Sequence, residues 1–192
     1  NFFRVGSASS TIAKTMSAYD KDFSNAIYEK EDDGRYVSKS RLNKMLRKEY
    51  SLLEERLNKD NYKDTRYFAF ADTVATINYS KTTNGHGWMG LRFQLTPNGK
   101  PNDFIIHVLL KDNDAKIQQE TIGIIGTNMM YACFNESDPK EILKQLYDNL
   151  SKDQVVIDLV EISGPDFDNI DNRLLSLTLV KENMTDAVIF TP

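Results

Sequence analysis

Nine residues, Thr82-Thr83-Asn84-Gly85-His86-Gly87-Trp88-Met89-Gly90, gather three glycines, one of the two histidines and the single tryptophan of a 192-residue chain. An imidazole between two glycines suits general acid–base work or a contact to a developing oxyanion. Polar groups on a loop held by a scaffold are where function concentrates. His86 is therefore the first candidate catalytic residue, with Asn84 and Trp88 as ligand-binding neighbours. The competing reading is structural: Asn84-Gly85 makes a tight turn, and His86 and Trp88 pack on strand ends. Asp72 is the second catalytic candidate. It follows the strand-like run 67–71, so its carboxylate is expected at a strand end, where it serves equally well as a cap.

The densest polar stretch, residues 163–173, holds Asp166, Asp168, Asp171 and Arg173. Three aspartates within six positions suit a hard cation, but the EF-hand glycine and its closing glutamate are absent, and aspartate and asparagine dominate ordinary turns. Asp166, Asp168 and Arg173 are carried as ligand-binding candidates. A polar network of Asp168, Asp171 and Arg173 turned toward a further part of the chain is the alternative. His107 lies inside an apolar run, where one hydrogen bond is expected to satisfy it. Two histidines without His-x-x-x-His or His-Glu-x-x-His spacing make a poor metal site, so none is expected. Cys133 reads as a buried, inert thiol. No phosphate loop, dinucleotide fingerprint or nucleophile elbow is present, and the cofactor is unknown.

Composition narrows the class. Apolar residues make up 40 % and charged residues 27 % of the chain, as in an ordinary globule able to bury a core. The single cysteine excludes an internal disulfide and favours a cytoplasmic setting, and no apolar run is long enough to span a bilayer. The net charge of −4 argues against nucleic acid as a partner of the whole chain. The one candidate patch is Lys39, Arg41, Lys44, Arg47 and Lys48. It reads as a phosphate-binding face or, more commonly, a solvated helix surface.

The elements that must position these residues follow an α+β order. A first helix is expected from a cap at Ser9, Ser10 or Thr11 through Ile12, Met16, Tyr19, Phe23 and Ile27. Ser38 caps a second, carrying Leu42, Met45, Leu46, Leu53 and Leu57. Strands are expected at 67–71, 91–95 and 104–110, helices from Asn113 or Asp114 and from Asp138-Pro139, and strands at 154–162, 174–180 and 187–190. This order predicts a mostly antiparallel or mixed sheet with helices on one face, preceded by two N-terminal helices. Residues 1–60 form a helical arm and residues 61–192 the α+β domain. The chain opens without methionine and stops after a strand-like run, which suggests a piece of a longer polypeptide continuing beyond Pro192.

The stretches Phe3-Arg4-Val5-Gly6-Ser7, Arg35-Tyr36-Val37-Ser38, Phe68-Ala69-Phe70-Ala71-Asp72-Thr73-Val74, His86-Gly87-Trp88-Met89-Gly90, Ser163-Gly164-Pro165-Asp166-Phe167 and Asp171-Asn172-Arg173-Leu174 together resemble the N-terminal portion of a large family of cytoplasmic bacterial proteins. Members carry the labels nicotinate-nucleotide adenylyltransferase and TonB-dependent receptor. The first implies nucleotide chemistry around His86, although the Gly-x-Phe-x-Pro-x-His-x-Gly-His signature lacks its upstream half here. The second implies a lipid-facing barrel, whereas this chain has helices. The expected function is a regulatory, scaffolding or assembly module of a larger bacterial protein, with a nucleotide- or phosphate-handling enzyme domain as the alternative. The expected partner is another protein or the C-terminal part of its own chain, with no membrane.

Overall fold

The computed structural model describes residues 6, 8–57 and 61–190. Four strands, β1 (Phe68–Ala75), β2 (Gly85–Phe93), β3 (Asn102–Leu110) and β4 (Val155–Ser163), form one antiparallel sheet in the order β1-β2-β3-β4. Two helices precede it, α1 (Lys21–Tyr28) and α2 (Lys39–Arg56). Two more, α3 (Ala115–Asn135) and α4 (Pro139–Leu146), fill the connection from β3 to β4, and α5 (Asn172–Lys181) follows. No described helix is long and apolar enough to cross a membrane.

Strand alternation assigns the two faces. Phe70, Val74, Met89, Leu91, Phe93, Phe104, Ile106, Val108, Ile157 and Val160 point into the main core, where α3, α4 and α5 supply Ile125, Met129, Leu143, Leu146 and Leu179. The opposite face is covered over β1 and β2 by α2, whose Leu42, Leu46, Tyr50 and Leu53 meet Ala69, Ala71 and Ile105. Helices thus lie on both faces, not on one. The sequence alone does not separate the stripe of α2 from that of α3, because both match a half-buried sheet.

Caps were readable locally. The Ser38 side chain accepts from Arg41 N–H, Asp114 caps α3, and Asp138 caps α4 with Pro139 following. Cys133 is buried, and burial pushes its thiol pKa up. Three expected elements differ.

The first helix starts at Lys21, capped by Asp20, and not near Ser10. Met16 is 42 % and Tyr19 97 % exposed, so of the periodic positions before Asp20 only Ile12 is even half-buried. Residues 174–180 are helix, not strand. Their apolar residues run all round, with Leu175 and Leu179 inward and Leu174 and Leu177 outward, which hides the period. Residues 187–190 form no strand, and Ile189 N–H donates to the Asp158 carbonyl at 2.7 Å.

Candidate functional site

The glycine-rich segment is not a loop. Residues 85–93 are strand β2, hydrogen-bonded to β1 on one side and β3 on the other. Its glycines answer to neighbours rather than to a turn. A Cβ on Gly87 would stand 2.5 Å from Val74 Cα and 2.6 Å from the Thr73 carbonyl oxygen, and one on Gly90 would stand 2.8 Å from Leu46 Cδ1. Gly85 leaves room for Gln118, whose amide oxygen accepts from Ile77 N–H and whose amide nitrogen donates to the Asp112 carbonyl, each at 2.7 Å.

Alternation then puts His86, Trp88 and Gly90 on the face that α2 partly covers. In register, Trp88 stands opposite His107 on β3, and His86 is diagonal to it. The ring centroids are 4.8 Å apart for Trp88 and His107 and 5.8 Å apart for His86 and His107. Residues directly opposite or diagonal across an antiparallel pair are close enough for such rings to meet.

The fourth member comes from β4. His107 pairs with Leu159 but Val108 pairs with Ile157, so Asp158 is an extra residue in the ladder. A bulge of this kind re-aims a side chain. Here it turns Asp158 toward the histidine face, where its Oδ1 lies 2.7 Å from His107 Nδ1. The carboxylate accepts and Nδ1 donates, so in the neutral imidazole Nε2 is the nitrogen with the lone pair. Asp158 is only 6 % exposed. Its backbone carbonyl takes the Ile189 N–H from the outer side, and the neighbouring Ile157 N–H donates to the Tyr147 hydroxyl at 3.0 Å. Burial pushes that phenol up to about 12. The bulge is held from both flanks.

Burial lowers the His86 pKa, the nearby His107 lowers it further, and Asp158 opposes both. The unfolded chain then binds the proton more tightly than the folded one. Protonation of His86 accordingly opposes folding, and its effect on stability grows as pH falls through the ordinary imidazole range and levels off below the lowered folded value. Proton NMR of the His86 ring is expected to give a midpoint below that of free imidazole, moving up in His107→Gln. A midpoint at or above the ordinary value in the native protein would contradict this electrostatic picture.

The other candidates do not join this group. Asp72 lies within β1 rather than at its end, paired with Met89, on the face away from His86 and Trp88. Its side chain is exposed where it lines the cleft, and desolvation by the surrounding walls lifts its carboxyl above the ordinary carboxylate value. Asn84 is exposed just before β2.

Asp166 and Asn102 exchange two hydrogen bonds, at 2.8 and 3.1 Å, closing the turn after β4 onto the start of β3. Asp168 accepts from the adjacent Asn169, and Arg173 pairs locally with the α5 cap Asp171. Asn102 stands five residues from His107 along β3, about 17 Å at strand rise. Among the described residues no group of three or more His, Cys, Asp or Glu side chains could hold a metal ion.

The basic patch dissolves in a similar way. Lys39 reaches Glu161 at 2.7 Å, Arg41 is buried, and Lys44 stands 3.2 Å from Glu31, leaving Arg47 and Lys48 exposed.

Sequence reasoning missed Asp158, because nothing in a run of strand residues marks the one that bulges.

It also missed the cleft, of about 1890 Å³, bounded by segment 11–20, α2, the outer edge of β1 and Gln119, Ile122 and Met130 of α3. Neither His86 nor His107 lines it. No family model, curated protein or solved structure matches the chain.

Proposed function

We propose that this chain is a binding module, the regulatory, scaffolding or assembly part of a larger bacterial protein, and that it receives an extended polypeptide segment along the outer edge of β1. The observation that carries this reading is the cleft beside that edge. The Gln94 N–H donates to the Tyr67 carbonyl. By alternation, the backbone groups of Phe68, Asp72 and Val74 turn away from β2 and toward the cleft. No described strand pairs with this edge.

The outward backbone groups of Asp72 and Val74 give a short template for strand addition, in which main-chain bonds supply affinity and alternate side chains supply specificity. Met16, Tyr19 and Tyr62 line the same cleft and are 42, 97 and 43 % exposed. Aromatic residues and methionine are enriched in protein interfaces. The alternative, a nucleotide- or phosphate-handling enzyme using His86 and Asp72, draws less support because those side chains lie on opposite faces of the sheet.

The test is a peptide-display selection against the native protein, followed by binding to Val74→Pro and His86→Ala. Proline at position 74 removes an outward N–H and leaves the ladder to β2 intact. Selected peptides should lose at least about tenfold in affinity, ~1.4 kcal/mol, toward Val74→Pro and keep it toward His86→Ala. Equal binding to native protein and Val74→Pro would refute strand addition at β1. A thermal shift produced by nucleotides and lost in His86→Ala would favour the enzyme reading instead.

A further inference from the structure

We propose that His86 and His107 form a two-donor site for a borderline divalent cation of the Cu²⁺, Ni²⁺ or Zn²⁺ class, with Asp158 as the outer carboxylate that orients His107.

The two histidines are 21 positions apart in sequence, which gives no metal spacing, yet the β2–β3 register sets them diagonally on one face. Two imidazoles sharing one ion at about 2.0–2.1 Å per bond hold their centroids roughly 5–6 Å apart. The observed separation is 5.8 Å, with the planes inclined at 50°. The Nδ1 of His107 is committed to Asp158 at 2.7 Å, so its Nε2 is the available donor. A carboxylate on the far nitrogen of a ligating histidine fixes its tautomer and raises its basicity. That is the arrangement the β4 bulge creates.

Imidazole donors select Cu, Ni and Zn over Mg or Ca. Two protein donors leave the remaining positions to water or to a donor group from a bound partner. Because neither ring lines the cleft, the site is independent of peptide capture there. An ion also needs no cavity, which a substrate for a His–Asp pair would.

The only tryptophan reports on the site directly, since Trp88 stands 4.8 Å from the His107 ring. The experiment titrates Cu²⁺ and Ni²⁺ into the whole chain while following Trp88 emission, and titrates Zn²⁺ by calorimetry. Saturable quenching and a one-to-one heat are expected. Both should vanish in His86→Ala, an exposed position whose fold circular dichroism can verify, and in His107→Ala. Asp158→Asn should weaken the affinity about 10–100-fold. Quenching that does not saturate, a Zn²⁺ titration without heat, or undiminished binding by folded His86→Ala would each overturn the assignment.

Discussion

Alanine at Gly87 is expected to cost the native state about 3 kcal/mol, the upper part of the range for overpacking a filled interior. The added Cβ meets Val74 Cα at 2.5 Å and the Thr73 carbonyl oxygen at 2.6 Å. Both are backbone atoms of the neighbouring strand, so no side chain can rotate out of the way. Relief requires β1 and β2 to move apart at the Val74–Gly87 pair. Gly90→Ala is the internal control. There the new methyl meets Leu46 Cδ1 at 2.8 Å and Leu42 Cδ2 at 3.1 Å, the mobile ends of side chains on α2. A cost of about 1 kcal/mol is expected for Gly90→Ala, at the lower end of the same range. Urea unfolding of the two variants decides the matter. For a domain of this size the difference should appear as roughly 4–8 °C in Tm. A Gly87→Ala variant no less stable than Gly90→Ala would show that the two strands do not approach as described. The same variant should also weaken the proposed metal site, because Gly87 lies between His86 and Trp88 on β2.

These glycines also show what a sequence can and cannot disclose. Local chemistry was legible wherever a residue acts on its own backbone neighbours. Ser38 and Asp114 cap helices because their side chains reach N–H groups two or three residues on. Asp138 caps α4 in the same way, with Pro139 in the first turn. The α+β order followed from such signals, and with it the expectation of a mostly antiparallel or mixed sheet.

The candidate site did not, because its parts are fixed by partners far along the chain. Glycine density at 85–90 looks the same whether it frees a loop or admits Val74, Gln118 and Leu46. His107 was read with a single satisfied bond, and Asp158 supplies one. That the carboxylate would come from a bulge in β4 depends on a register no local pattern encodes. Residues 11–20 misled for the opposite reason. Ile12, Met16 and Tyr19 keep helical spacing, but only tertiary packing makes an amphipathic segment helical in water, and here only Ile12 is even half-buried.

Removal of the Arg41 side chain should be the costliest single change to the wall of the cleft. Arg41 is 1 % exposed and Glu31 4 %. Its guanidinium donates to the Glu29 carbonyl and to Asn25 Oδ1, each at 2.8 Å, and stacks 5.0 Å from the Tyr36 ring. The Arg41 Nε stands 3.6 Å from Glu31 Oε1. Through these contacts one side chain ties the end of α1 and the loop of residues 29–36 to α2. Tyr36 in turn accepts a hydrogen bond from the Thr73 hydroxyl on β1.

Arg41→Ala leaves the Glu31 carboxylate buried with Lys44 at 3.2 Å as its counter-charge and the Ser40 hydroxyl donating to it at 2.8 Å. Stripping one partner from a buried pair costs about 3–5 kcal/mol, mostly through the charge left behind. Adding Glu31→Gln removes that charge, so Arg41→Ala/Glu31→Gln should recover part of the loss. The non-additivity of the double-mutant cycle then measures the coupling of the pair. If the double variant were no more stable than Arg41→Ala alone, the stranded carboxylate would not be the cause, and the lost bonds to Glu29 and Asn25 would be. The peptide assay separates structure from function in the same variants. Because Arg41 and Tyr36 both line the cleft, Arg41→Ala should weaken peptide capture even at temperatures where the sheet remains folded.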